Sequence, residues 1–138
     1  MSKHLIRPNK DIYLKSSTTI YVILCTAVNM TLIDDYFALQ EQYEKKFGEK
    51  TIVLMQVGGF FEIYGVVTDT IKKGRMYEIC DITNLNTSKR HSKTDPVSPK
   101  NPLMAGFPNH SFDKWQDILL KHNYTIIKIE QDTNGESK

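Results

Sequence analysis

The residues best suited to chemistry form one short stretch, Gly58-Gly59-Phe60-Phe61-Glu62, in which aromatic rings stand beside a carboxylate. The apolar run 51–55 before it is typical of a strand covered on both faces, and the two glycines allow a sharp turn. If extended geometry resumes, Phe60 and Glu62 lie on the same side. They could then read an unstacked base, the ring by stacking and the carboxylate by hydrogen bonding. Alternatively, these rings and Tyr64 are ordinary core aromatics, the commoner case on spacing alone.

The charge of the chain is uneven. The net charge is only +2, but residues 72–100 carry seven Lys or Arg against three acids, a net +4 that leaves −2 on the rest. Such a flank could face phosphates, with Lys89, Arg90 and Lys93 as the candidate contacts, and a merely solvated loop is the alternative.

A second informative stretch is 102–110, Pro-Leu-Met-Ala-Gly-Phe-Pro-Asn-His. Its two prolines and one glycine restrict the backbone and predict a stiff, compact turn. Met104 and Phe107 could either fill the core or reach a partner.

Several enzyme classes lack their motifs. No Gly-Lys dipeptide occurs, so there is no Walker A loop for ATP, and no Gly-x-Ser-x-Gly elbow is present. Cys25 and Cys80 are the only cysteines, without zinc-ligand spacing, which predicts no metal site and a reducing compartment. We therefore predict a chain without catalytic residues.

Acidic residues near the start of the first predicted helix leave a metal-dependent nuclease as a further class to weigh. Asp34 or Asp35 could be combined with Glu44 and Lys46. Their helical placement favours a solvated helix face instead.

A chain of 138 residues, 40% hydrophobic and 25% charged, is the size and balance of one globular domain. Thr31-Leu32-Ile33-Asp34 fits a capping box, and Ser111 is a good N-cap. The predicted elements are a helix 31–47, strands 51–57, 60–67, 76–82 and 124–129, a polar loop 84–100, and a helix from Ser111 to Asn123. This order predicts an α/β (α+β) fold with a mixed sheet flanked by helices in two or three layers.

The apolar run Ile20 to Val28 needs its own interpretation. Nine residues are far short of the roughly twenty that a membrane helix needs, and no clear signal-peptide cleavage site follows. A packed or loosely attached strand is the expectation.

The three motifs together resemble a known family. Gly58-Gly59-Phe60-Phe61-Glu62, then 103–110, then Ile129-Glu130-Gln131 are similar to the N-terminal mismatch-recognition domain of the DNA mismatch repair protein MutS. The similarity covers about residues 30–131, leaving 1–29 as an extension of unknown role and 132–138 as a polar tail. The sequence of residues 50–58 resembles that of the MutS branch found in giant DNA viruses and some mitochondria.

The resemblance implies roles for single residues. Phe60 would enter the minor groove and stack on a mispaired base, and Glu62 would hydrogen-bond that base, either accepting as a carboxylate or donating as the neutral acid. Met104 would lie with them at the DNA. A mismatch or small loop has already lost pairing energy, so inserting a ring there costs less. The family more often has Asp where this chain has Gly59.

The same resemblance sets expectations for the whole protein. Family members add connector, lever, clamp and ATPase domains, so ATP and magnesium are implied only for those domains, and no cofactor is expected in this chain. The expected partners are double-stranded DNA with a mismatch or small loop and further MutS domains or a MutS-like partner chain, and no membrane is expected as a partner. The expected location is intracellular, whether viral, nuclear or mitochondrial. The alternative is a shortened module that acts in protein interaction or is inactive.

Overall fold

The structure, a computed structural model, describes residues 4–8, 19–26 and 32–131. Within these ranges the chain forms three α-helices, a short 3-10 helix and eight strands. The helices are α1 (Leu32–Phe47), α2 (Met76–Thr83) and α3 (Phe112–Lys121), with the 3-10 turn Asn109–Ser111 before α3. The strands are β1 (His4–Pro8), β2 (Thr19–Thr26), β3 (Thr51–Val57), β4 (Phe60–Val67), β5 (Lys72–Lys73), β6 (Ser88–Lys89), β7 (Leu103–Pro108) and β8 (Thr125–Gln131).

The described strands form one mixed sheet in the order β1-β2-β8-β3-β4-β7-β6, and β5 pairs with the far end of β4. Strand β8 runs parallel to both of its neighbours, β2 and β3, whereas the other pairs are antiparallel. This arrangement confirms the predicted mixed sheet.

Helices cover both faces of the sheet. Tyr36 of α1 packs edge-on against Tyr64 of β4, with ring centroids 5.0 Å apart. Side chains alternate between the faces of a strand, so Phe61 lies on the opposite face, where its ring is 5.0 Å from that of Phe112 in α3. The domain therefore has three layers, with the sheet between α1 and α3. The sequence predicted two or three layers, and the structure has three.

The first helix agrees with its prediction. It covers Leu32–Phe47 against a predicted 31–47, and Thr31 of the capping box lies outside the described residues. Gly48 ends the helix: it has a φ of +106°, and its N–H donates to the carbonyl of Glu44 at 2.8 Å.

The predicted solvated face of α1 is partly wrong. Asp35 is fully buried, because it belongs to the inward stripe of α1 that also holds Tyr36 and Leu39. Glu44 is only partly exposed, and its Oε2 accepts from Nε of Arg75 at 2.5 Å. Across the described residues there is no group of three or more His, Cys, Asp or Glu side chains that could hold a metal ion.

The predicted strand 76–82 is wrong, because this segment is the helix α2. Its buried residues Met76, Ile79 and Thr83 are three and four apart, which is helical spacing that so short a run did not make clear. Asn84 ends α2 in the left-handed conformation, with φ 61°. The helix packs closely on β4, since a Cβ atom at Gly65 would lie 3.0 Å from the Cβ of Met76.

The predicted turn 102–110 is also wrong, because Leu103–Pro108 form the strand β7, which pairs antiparallel with β4. The prolines stand at its two ends, where a missing N–H is tolerated, so they frame a strand and not a turn. Phe107 faces the core at 4% exposure, whereas Met104 is half-buried.

Strands β1 and β2, which come before residue 30, belong to the same sheet. The predicted strand 20–28 is observed as Thr19–Thr26, and residues 27 and 28 lie outside the described part. Ile20 and Val22 are buried, and the hydroxyl of Thr19 donates to Oε1 of Gln116 in α3 at 2.7 Å. No helix in the described ranges is long and apolar enough to cross a membrane.

Candidate nucleic-acid interface

A tight hairpin between β3 and β4 presents the first candidate residue. Val57 pairs with Phe60 across the two-residue loop Gly58-Gly59, and Gly58 has φ +59°, a conformation that glycine adopts without steric cost. The loop is tied to the start of the 3-10 turn, because the backbone N–H of Asn109 donates to the carbonyl of Gly59 at 2.8 Å. The tip is therefore held at a fixed place beside β7.

The aromatic residues of β4 separate sharply by exposure. Phe60 is 49% exposed, whereas Phe61 is 3% exposed and Tyr64 is fully buried. The alternation of a strand explains the difference between Phe60 and Phe61, since one faces outward at the end of the sheet and the other faces α3. The core-aromatic alternative thus describes Phe61 and Tyr64 but not Phe60.

Glu62 lies on the same face as Phe60, as predicted from spacing, within a small polar cluster. Its side chain is 15% exposed. Its Oε1 accepts a hydrogen bond from the hydroxyl of Tyr64 and lies 4.0 Å from Nε of Arg90. Burial raises the pKa of Tyr64 well above its ordinary value, and the hydrogen bond to Glu62 raises it further. Tyr64 therefore remains a neutral donor at any physiological pH.

Gly106 makes room for this carboxylate. It is the partner of Glu62 in the register of β4 and β7. A Cβ atom at position 106 would lie 2.6 Å from the carbonyl oxygen of Phe61 and 3.3 Å from Cγ of Glu62. A side chain larger than hydrogen at this position would press on the backbone of β4 and on the stem of Glu62.

Register also brings Met104 and Arg90 to this face. Met104 pairs with Tyr64 on one side and with Ser88 on the other, and paired residues share a face. Arg90 follows β6, and its contact with Glu62 places its guanidinium on the same face. Four candidates from the sequence therefore lie together here: Phe60, Glu62, Arg90 and Met104.

The two lysine candidates lie differently. The Nζ of Lys89 donates to the backbone carbonyls of Asp95 at 2.7 Å and of Lys93 at 3.3 Å, so its charge is directed into its own loop. Lys93 is exposed. Phosphate contacts by these residues stay predictions.

The predicted polar loop 84–100 contains the short strand β6, and the part after β6 is anchored by a side chain that sequence reasoning missed. Asn101 is 6% exposed, and its Oδ1 accepts from the backbone N–H groups of His91 and Ser92, both at 3.0 Å. Its Nδ2 donates to the carbonyls of Ser92, Asp95 and Pro96 at 3.0–3.2 Å. One side chain thus shapes the loop that follows Arg90.

Tyr64 and Gly106 were also missed as parts of the site. A signal for Tyr64 existed, because residues 60, 62 and 64 share one face of an extended strand. Gly106 and Asn101 gave no such signal, since their roles depend on which strand and loop lie beside them.

Comparison with known proteins identifies the family of the chain. The sequence matches the family model of MutS domain I over residues 31–138. A mutS homolog of Acanthamoeba polyphaga mimivirus is 32% identical over 112 residues, covering 78% of this chain and 9% of that protein. The DNA mismatch repair protein MutS of Streptococcus uberis is 27% identical over 99 residues, covering 72% of this chain and 10% of that protein.

The sheet, enclosed by helices on both faces, carries the exposed ring of Phe60 and the carboxylate of Glu62 on one strand. The chain belongs to the MutS domain I family. It spans about a tenth of the length of the relatives that it matches.

Proposed function

We propose that this chain recognises mismatched double-stranded DNA as the reading domain of a MutS-like mismatch repair protein. Phe60 inserts at the mispair and stacks on one base, and Glu62 hydrogen-bonds the displaced base. The chain itself performs no catalysis. Any ATP-dependent step belongs to further MutS domains, on the same protein or on a partner.

The observation that carries the proposal is the outward position of Phe60. An aromatic ring with 49% exposure at the end of a strand contacts solvent at a cost in hydration, while Phe61 beside it fills the core. The anchored hairpin holds the ring on the face that also carries Glu62, Arg90 and Met104. Inserting a ring between bases costs unstacking energy, which contacts of the ring with the bases must offset. A ring that is already held in place can make those contacts without first being ordered.

The test is a titration of matched and mismatched duplexes with wild type and Phe60→Ala. We expect Phe60→Ala to lose the preference for mismatched DNA, at a cost of about 1–3 kcal/mol of stacking on the mispaired base. Binding to the matched duplex and its salt dependence should remain, because they depend on phosphate contacts. Fluorescence anisotropy at low salt suits the weak binding that we expect from one small domain.

Val67→Ala is the matched control, since Val67 is 46% exposed and lies at the opposite end of β4. It should leave both affinities unchanged. An equal loss of matched and mismatched binding in Phe60→Ala would show a role in folding instead. A wild-type chain that binds neither duplex would favour an interaction module without DNA binding.

A further inference from the structure

Tyr64 is a buried residue whose hydroxyl reaches Glu62, on the face of the sheet that also carries Phe60. Its ring is fully buried and packs against Tyr36 of α1. Its O–H donates to Oε1 of Glu62, two residues earlier on the same strand. The core thus fixes the ring of Tyr64, and the hydroxyl on that ring holds Oε1 of Glu62 in place.

Arg90, directly after β6, approaches the same oxygen from beyond β7. Its Nε lies 4.0 Å from Oε1 of Glu62 and, within the described structure, is buried without a hydrogen-bond partner. A guanidinium at this distance favours the negative charge on the carboxylate. The two neighbours of Oε1 are therefore a hydroxyl donor and a positive charge.

The inference rests on the function proposed above and concerns how Glu62 reads the base. We infer that Tyr64 is a positioning residue that holds Glu62 as an ionised hydrogen-bond acceptor, with Oε2 directed to the displaced base. Tyr64 itself does not touch DNA. Of the two modes open to Glu62, accepting or donating, the arrangement selects accepting.

A fixed acceptor distinguishes among mispairs by base chemistry. Thymine and guanine carry an imino N–H in the middle of the pairing edge, and this group can donate to a carboxylate. Adenine and cytosine carry a lone pair at the corresponding ring nitrogen, which repels the negative charge. Of two mispairs that are equally open to the ring of Phe60, the protein should therefore bind G·T more tightly than A·C.

The experiment compares G·T, A·C and matched duplexes bound by wild type and by Tyr64→Phe. The substitution keeps the buried ring and removes only the hydroxyl, so Glu62 loses its orienting donor. We expect the ratio of G·T to A·C affinity to fall at least about fivefold, on the scale of one good base contact. Binding to matched DNA should not change.

Tyr124→Phe is the matched control. Tyr124 is also a buried tyrosine, and its hydroxyl donates to Oε1 of Glu78 at 2.7 Å, in a cluster that joins α2 to the start of β8. This variant removes the same kind of hydrogen bond without touching Glu62. It should leave the ratio of G·T to A·C affinity at the wild-type value.

Two outcomes would overturn the inference: an unchanged ratio in Tyr64→Phe, or an equal fall in Tyr124→Phe, which would reflect lost stability and not lost positioning. Failure of the proposed function has a different signature, namely a mismatch preference that is absent in wild type or insensitive to Phe60→Ala. A preference that depends on Phe60 but not on Tyr64 would contradict this inference alone.

Discussion

At the scale of single residues, the neighbours Phe60 and Phe61 have opposite environments. One is half exposed at the end of the sheet, and the other contributes to the core against Phe107 and Phe112. A one-residue slip of β4 would exchange the two rings, because side chains alternate with a period of two. The hairpin loop and the register with β7 therefore determine which ring is available to a ligand.

Gly106 allows a test of the packing around Glu62. In Gly106→Ala the added methyl would lie 2.6 Å from the carbonyl oxygen of Phe61, closer than van der Waals contact permits. We expect a loss of about 1–3 kcal/mol of unfolding free energy, as for other overpacked sites, together with a displaced Glu62. Urea unfolding measures the stability change, and the G·T to A·C ratio measures the displacement.

Gly59→Ala is the control for that variant. A Cβ atom at Gly59 meets nothing within 4 Å, and the residue is not in the left-handed region. Its stability should stay within about 0.5 kcal/mol of wild type, as for surface substitutions in general. Equal effects of the two substitutions would mean that Gly106 is not constrained by its neighbours.

At the scale of elements, the loop between β6 and β7 depends on Asn101. The Asn101 side chain makes five hydrogen bonds to the backbone of residues 91–96. This loop begins directly after Arg90, whose backbone N–H donates to the carbonyl of Pro102 at 2.8 Å. The position of Arg90 beside Glu62 is therefore coupled to the order of the loop.

In Asn101→Ala we expect a loss of about 1–3 kcal/mol of unfolding free energy, because the side chain that holds five part-buried hydrogen bonds is removed. The amides of His91 and Ser92 should lose their protection in hydrogen exchange, which reports local opening directly. Asn86→Ala is the control, since Asn86 is exposed in the preceding connection between α2 and β6. Retained protection at residues 91 and 92 would contradict the assigned role of Asn101.

At the scale of the whole molecule, buried tyrosines link the layers. Tyr36 joins α1 to β3 through a hydrogen bond to the carbonyl of Val53, and Tyr124 joins the start of β8 to α2 through Glu78. Burial is the first cause that raises the pKa of Tyr36, Tyr64 and Tyr124 above the ordinary value of 10.0.

These raised pKa values predict a loss of stability in alkali. The folded state holds its tyrosine protons to higher pH than the unfolded state, so this stabilisation is complete below pH 10 and declines as pH rises toward the folded-state pKa. Urea unfolding from neutral pH to about pH 11 should show a flat free energy that then falls. The fall should be shallower in Tyr64→Phe/Tyr124→Phe, and an equal slope in this double variant would contradict the explanation.

The sequence alone determined the long, strongly patterned elements and the motif. Helix α1, strands β3 and β4, helix α3 and strand β8 follow from local periodicity and from the stop signals Gly48 and Asn123, which both have positive φ. The shared side of Phe60 and Glu62 follows from the geometry of any extended strand. These features need no knowledge of distant neighbours.

Only the tertiary structure decided the rest. The segment Met76–Thr83 became a helix because it packs on β4 at Gly65, and residues 103–108 became a strand because β4 lies beside them. Exposure of Phe60, the donor for Glu62 and the gap provided by Gly106 all depend on contacts between residues far apart in the chain. A local pattern specifies which side of a strand a residue faces, but the neighbouring strands and helices determine what covers that side.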